Sequence, residues 1–162
     1  MNLILIAKVL VLLAAANGAP VLAKKLAGTR WTAPVDGGLR LGDGNALFGP
    51  SKTYRGLLAS LGATTAAAPL IGLDWWLGSL AAGAAMAGDL GSSFVKRRLG
   101  YSPSSMAPGL DHIPESLMPG LALAAYAELA LADIAVIVCL FWGGALVLSR
   151  LLFRVGLRDQ PH

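Results

Sequence analysis

The charges in this chain are few and clumped. Apart from Lys8, its Lys and Arg residues fall in three places: Lys24 to Arg55, Lys96 to Arg98, and Arg150 to Arg158. Between them run nearly uncharged apolar stretches, which we delimit as Leu3 to Leu22, Gly56 to Leu73, Trp75 to Phe94, Leu117 to Ala132 and Ile134 to Phe153. A hydrocarbon core about 30 Å thick is crossed by roughly 20 apolar residues in helical form, somewhat fewer when flanking side chains snorkel. The pattern therefore predicts an all-α polytopic integral membrane protein, a bundle of about five transmembrane helices, with residues 1–162 as a single domain. The fourth span is the weakest, with Pro119 near one end and Glu128 and Asp133 near the other. A four-span chain with a re-entrant fourth segment is the alternative.

Short cytoplasmic loops collect Lys and Arg. Five spans put all three basic clusters on the cytoplasmic side of the cell (inner) membrane, with the N-terminus outside and the C-terminal tail in the cytoplasm. A cleaved signal peptide is disfavoured for the first segment, because no basic region precedes its apolar run. Lys8 lies inside that run and must snorkel or find a partner. The net charge of +4 and pI near 9.6 do not point to nucleic acid here: basic loops orient the chain and meet anionic head groups, and the few aromatics form no stacking platform. The single cysteine, Cys139, excludes an intramolecular disulfide and a cysteine-based zinc site; it reads as a small apolar filler.

Within the spans, Gly62 with Ala66, Gly78 with Ala82, and Gly83 with Ala87 are small-xxx-small pairs that let helices approach closely in lipid. The segment between the first two spans has a different character. Ala33 to Gly56 contains six glycines and two prolines, too many for a regular element, and reads as a structured Gly-rich cytoplasmic loop. Ser51 after Pro50 reads as the N-cap of the second helix.

That helix start is one candidate anion site, since unpaired backbone N–H groups and the helix dipole favour phosphate. Lys52, Thr53 and Arg55 stand in its first turn. The likeness to a nucleotide-hydrolase P-loop fails, because Pro50 stands where that motif requires its Lys. A second candidate is the end of the third span, where Asp89, Ser92, Ser93, Lys96 and Arg97 fall on one helical stripe. Either Asp89 is tethered to the cations of its own helix, or it holds a divalent ion beside phosphate-binding cations. The third is Pro108 to Gly120. Asp111 suits either a helix cap or, with Glu115 and Asp89, the hard oxygen set that Mg²⁺ prefers. Pro114 suits a first helical turn, and His112 is as readily incidental as phosphate-binding. Asp36 and Asp43, in glycine-rich turns, are open between turn formation and substrate binding. Carboxylates, cations and a helix start beside a bilayer suit nucleotide chemistry on a lipid head group.

These residues, in this order, resemble the CDP-archaeol synthase family, related to the CDP-diacylglycerol synthases (phosphatidate cytidylyltransferases). The resemblance rests on APVL at 19–22, PVDGG at 34–38, DG at 43–44, FG at 48–49, KTYRG at 52–56, GDLGSSFVKRR at 88–98 and P-x-L-D at 108–111. It implies a membrane enzyme of phospholipid biosynthesis, here expected as a bacterial-type member, that joins CTP to a lipid phosphate, giving a CDP-lipid and pyrophosphate with Mg²⁺. Carried over by position, it implies catalytic roles for Lys52, Asp89, Lys96 and Asp111. Nucleotide or phosphate contacts fall to Asp36, Asp43, Lys52, Thr53, Arg55, Lys96 and Arg97, and metal ligation to Asp89, Asp111 and Glu115. The chain departs from the family pattern after Asp111: His112 stands for the usual Gln or Arg, and Pro114 for the second acid, with Glu115 one position later. Two other classes compete. A non-enzymatic scaffold would tolerate neutralised carboxylates; a small lipid transporter or flippase would place ionisable residues at mid-membrane or repeat its halves. The expected partners are CTP, a lipid phosphate, the bilayer and, on size alone, a second copy of the chain.

Overall fold

The computed structural model of the chain describes residues 1–102, 105, 107 and 109–154, with side chains described up to residue 147. Pro108 of the P-x-L-D motif, Arg158, and the side chains of Arg150 and Arg154 lie outside the described residues. Five helices account for the bulk of it: α1 (Leu3–Ala27), α2 (Tyr54–Leu70), α3 (Trp75–Arg98), α4 (His112–Ala127) and α5 (Leu131–Arg154).

α1 touches all four other helices. It contributes Ile6, Val9, Leu12 and Leu13 to a buried core that Ala81 and Ala85 of α3, Leu123 of α4 and Ile137 of α5 complete. Around that core the outer surface stays apolar, with Leu58, Leu61, Trp75, Leu121, Leu131 and Leu140 exposed. An apolar exterior over an apolar core is what lipid, but not water, accommodates. Of the described helices only α1 is long and apolar enough to cross a membrane by itself. α2 and α4, at 17 and 16 residues, are shorter than the roughly 20 that a full crossing takes.

The helix boundaries correct several expectations. Thr53, not Ser51, caps α2: its backbone is extended and its Oγ1 accepts the Gly56 amide at 3.2 Å. Lys52 therefore precedes the helix and does not share a turn with Arg55. α4 begins five residues before the apolar run at Leu117, with Pro114 in its first turn as its residue type suggested, since the N–H it lacks would have no intrahelical acceptor. Asp133, expected in the turn, belongs to the start of α5, where its carboxylate accepts the amides of Ala130 and Asn2 and ties the beginnings of α5 and α1 together. Lys8 finds its partner in the Gly72 carbonyl, at 3.1 Å. Cys139 is exposed on the outer side of α5 and fills no core space.

Of the three small-residue pairs, only Gly78 mediates a close approach. A Cβ there would stand 2.5 Å from the Thr64 carbonyl oxygen, whereas Gly62 and Gly83 face open space. The tight α3–α4 contact lies instead at Gly88, where a Cβ would meet the Pro114 carbonyl oxygen at 2.3 Å.

Candidate active site

The Gly-rich segment folds as two nested antiparallel pairings. Its stem joins Pro34 to Thr53, with Val35 N–H donating to the Lys52 carbonyl at 2.7 Å. Its tip joins Arg40 to Ala46, with Leu47 N–H donating to the Leu39 carbonyl. Asp36 holds the two together: one carboxylate oxygen accepts the Gly38 amide, the other the amides of Phe48 and Gly49 at 2.9 Å each. Burial pushes the Asp36 carboxyl up, but these amides outweigh it and leave it below the ordinary aspartate range. At the tip Asp43 accepts the Asn45 amide and pairs with Arg98 at 2.9 Å, and Arg98 also donates to the Asn45 and Ala46 carbonyls. The amide of Asn45 is the chief reason that Asp43, too, sits below its usual range. Both aspartates, expected at the nucleotide, thus build the loop and fasten it to α3. Arg98, which lies over the Phe94 ring, is the fastener, and sequence spacing carried no signal for it.

This loop delivers Lys52 to α3. Its ammonium bonds both carboxylate oxygens of Asp89 at 2.6 Å, with each side chain about a quarter exposed. The tether of Asp89 to cations of its own helix is overturned: Ser92 Oγ donates to the Asp89 carbonyl, and Lys96 turns away to Asp111 at 2.5 Å. Lys96 also donates to the Ser105 carbonyl, and Asp111 accepts the Ala107 amide at 2.8 Å. The capping role weighed for Asp111 fails with it, since its side chain makes no cap bond. Ser92, Ser93, Lys96 and Arg97 are all buried, so the stripe foreseen on α3 points into the protein.

Arg97 is 4% exposed. Its NH2 donates to the Ser102 carbonyl at 2.9 Å, while Nε and NH1 are buried with no partner among the described residues. NH1 lies 3.9 Å from where a Cβ on Gly49 would stand, against the Gly-rich loop. Buried donors without acceptors cost free energy, and a guanidinium fork suits a phosphate oxygen pair. Glu115 is buried beside Gly88, within electrostatic reach of Asp89 and Lys52, with His112 Nδ1 at 3.8 Å. Two expected phosphate ligands are engaged elsewhere: Thr53 in its cap, and Arg55 through NH1 to the carbonyls of Gly28 and Arg30 at the end of α1.

The family profile described as CarS-like: CDP-archaeol synthase matches residues 71–162. The chain belongs to the CDP-archaeol synthase family. The CDP-archaeol synthase of Hyperthermus butylicus is 40% identical over 122 residues, covering 70% of this chain and 67% of the relative. That of Thermofilum pendens is 31% identical over 152 residues, covering 90% and 74%. A solved structure described as an intramembrane enzyme for archaeal membrane lipids biosynthesis superposes with a TM-score of 0.64 at 32% identity, over 83% of this chain and 90% of that one. These relatives are archaeal, and lend no support to the expectation of a bacterial-type member. Membership in the CDP-archaeol synthase family makes this chain a membrane-embedded, CTP-dependent lipid phosphate cytidylyltransferase.

Proposed function

We propose that the chain transfers a cytidylyl group from CTP to the phosphate of an archaeol-type membrane lipid, giving a CDP-lipid and pyrophosphate, with Mg²⁺. We place this at the cytoplasmic face of a five-span bundle whose N-terminus lies outside. The observation that carries this reading is the buried Arg97 fork, whose Nε and NH1 have no partner among the described residues, set beside two lysine–carboxylate pairs. Such a site is charge-balanced when empty and holds spare donors for an incoming phosphate.

Among the described residues, no group of three or more His, Cys, Asp or Glu side chains is gathered as a metal cage. Mg²⁺ does not require one. It is commonly held by one or two carboxylates, waters and the substrate's own phosphates, and the oxygen donors of Asp89 and Asp111 suit it. Those two residues would hold the ion, with Glu115 beside Asp89 as a further oxygen donor; when bound, it supplies charge neutralisation on the triphosphate. The chain's own work is positioning. Lys52, Lys96 and Arg97 bind phosphate oxygens. The lipid phosphate oxygen bonds to the α-phosphorus of CTP as the bond from that phosphorus to its bridging oxygen breaks, and pyrophosphate leaves. The nucleophile is already anionic at neutral pH, so no general base is needed and catalysis rests on orientation and charge.

The test incubates purified, reconstituted protein with CTP, Mg²⁺ and a panel of lipid phosphates with ether isoprenoid or acyl tails, following pyrophosphate and CDP-lipid. Release that needs both the lipid phosphate and Mg²⁺ supports the proposal. Absence of release with every lipid, together with absence of CTP binding, refutes it.

A further inference from the structure

The site leaves Arg55 without a role, although its surroundings are unusual. A cavity of about 460 Å³ is lined by Trp31, Ala33, Tyr54, Arg55 and Leu58. Apart from the arginine its walls are almost wholly apolar, and Trp31 and Leu58 are exposed at its mouth. Trp31 holds a left-handed backbone, with φ of 53°, which a tryptophan seldom adopts. Arg55 fixes that turn by giving NH1 to the carbonyls of Gly28 and Arg30. Its guanidinium has five N–H donors, so Nε and NH2 remain for a ligand, and no carboxylate pairs with it among the described residues.

We propose that this cavity is an accessory site for a non-reacting anionic phospholipid of the bilayer, its chain against Trp31 and Leu58 and its phosphate on Arg55. The inference rests on the orientation proposed above, which sets this end of α1 at the membrane boundary. Charge complementarity favours that occupant: Lys25 and Arg30 are exposed at the same end of α1 and add to the pull on an anionic head group. The apolar wall also runs on into the lipid-facing surface, since Leu61 is exposed one turn beyond Leu58. A lipid seated here is not the substrate. Arg55 is turned to α1 and Lys52 to Asp89 of α3, and the cavity wall includes none of Lys52, Asp89, Lys96, Arg97 or Asp111.

The experiment uses full-length protein retaining only Trp31 (Trp75, Trp76 and Trp142→Phe) in phosphatidylcholine vesicles containing some phosphatidylglycerol, with bromine on the chains of one lipid or the other. An attraction of the size that one basic residue exerts on an anionic lipid enriches phosphatidylglycerol about fivefold at the site. Brominated phosphatidylglycerol should therefore quench Trp31 well beyond its share of the mixture. Arg55→Gln should abolish that excess, and Arg55→Lys should keep most of it. Ala33→Phe, which fills the cavity without touching the Arg55 tether, should also abolish it. Equal quenching by both lipids, unmoved by these substitutions, overturns the site while leaving the orientation intact. Quenching by aqueous iodide and by neither lipid overturns the orientation and the site with it. Relief of the excess by added lipid phosphate, with a raised KM for that lipid in Arg55→Gln, overturns the accessory role in favour of a substrate subsite.

Discussion

Gly88→Ala places one methyl group against the backbone of α4. Its Cβ would stand 2.3 Å from the Pro114 carbonyl oxygen, 2.6 Å from its carbon and 2.9 Å from the Glu115 nitrogen. Backbone has no rotamer with which to yield. Ordinary contact begins near 3.4 Å, so the start of α4 must retreat by about 1 Å, an overpacking strain of roughly 1–3 kcal/mol. For a chain of this size that lowers the melting midpoint by roughly 2–12 °C. The larger effect is on turnover. Gly88 adjoins Asp89, and α4 follows directly on Asp111, whose pair with Lys96 spans 2.5 Å. A displacement of about 1 Å among positioning groups can cost on the order of 100-fold in rate. The assay is pyrophosphate release from reconstituted protein, run beside a thermal melt. Gly83→Ala and Gly91→Ala, on the same helix but facing open space, serve as controls and should leave both readouts unchanged. A Gly88→Ala protein with wild-type rate and melting midpoint would show that the α3–α4 contact does not set the site's geometry.

Asp89→Asn and Asp111→Asn should each abolish CDP-lipid formation while circular dichroism and gel filtration stay unchanged; an active Asp89→Asn enzyme removes that residue from the metal-binding role. Arg97→Gln, which removes a charged donor, should weaken CTP binding by about 1.5–3 kcal/mol, roughly 10- to 150-fold, in calorimetric titration; unchanged affinity would place the phosphates elsewhere. The Asp36 carboxylate is favoured in the folded loop, so its contribution is fully present above the ordinary aspartate range and is lost as pH falls through the lowered folded value. Hydrogen-exchange protection of the Phe48 and Gly49 amides, corrected for intrinsic rates, should hold from neutral pH down to about pH 5 and fall only below the ordinary value near 3.9. Asp36→Asn should lose that protection at every pH.

The helices were legible because an apolar run signals itself locally: α1, α3 and α5 lie where hydropathy puts them, and Pro114 with Asp111 marked the start of α4 ahead of its apolar run. The motif positions were legible too: Lys52, Lys96, Arg97 and Asp111 fall in the polar stretches that interrupt the runs, and Asp89 near the end of the third run. Their partners were not. On a helical wheel Asp89 shares a face with Lys96 and Arg97 about two turns away, so spacing argued for a pairing within α3. The structure gives Asp89 to Lys52, 37 positions away, because the Gly-rich loop folds back and presents its lysine to that face. Asp36, Asp43, Thr53 and Arg55 show the same limit. A carboxylate, hydroxyl or guanidinium reads alike whether it awaits a ligand or already holds backbone groups.

By itself, then, the sequence determined that this chain is a helical membrane protein with its polar chemistry in two interhelical stretches, and its motif order pointed to the family. Hydropathy and motif order are properties of contiguous residues and survive without a fold. Only the tertiary structure decided which lysine neutralises which carboxylate, that Arg97 is buried with two donors unpaired among the described residues, that Gly88 sets the approach of α4, and that Arg55 belongs to a separate cavity. Each of these is a distance between segments far apart in the chain, fixed when the helices pack.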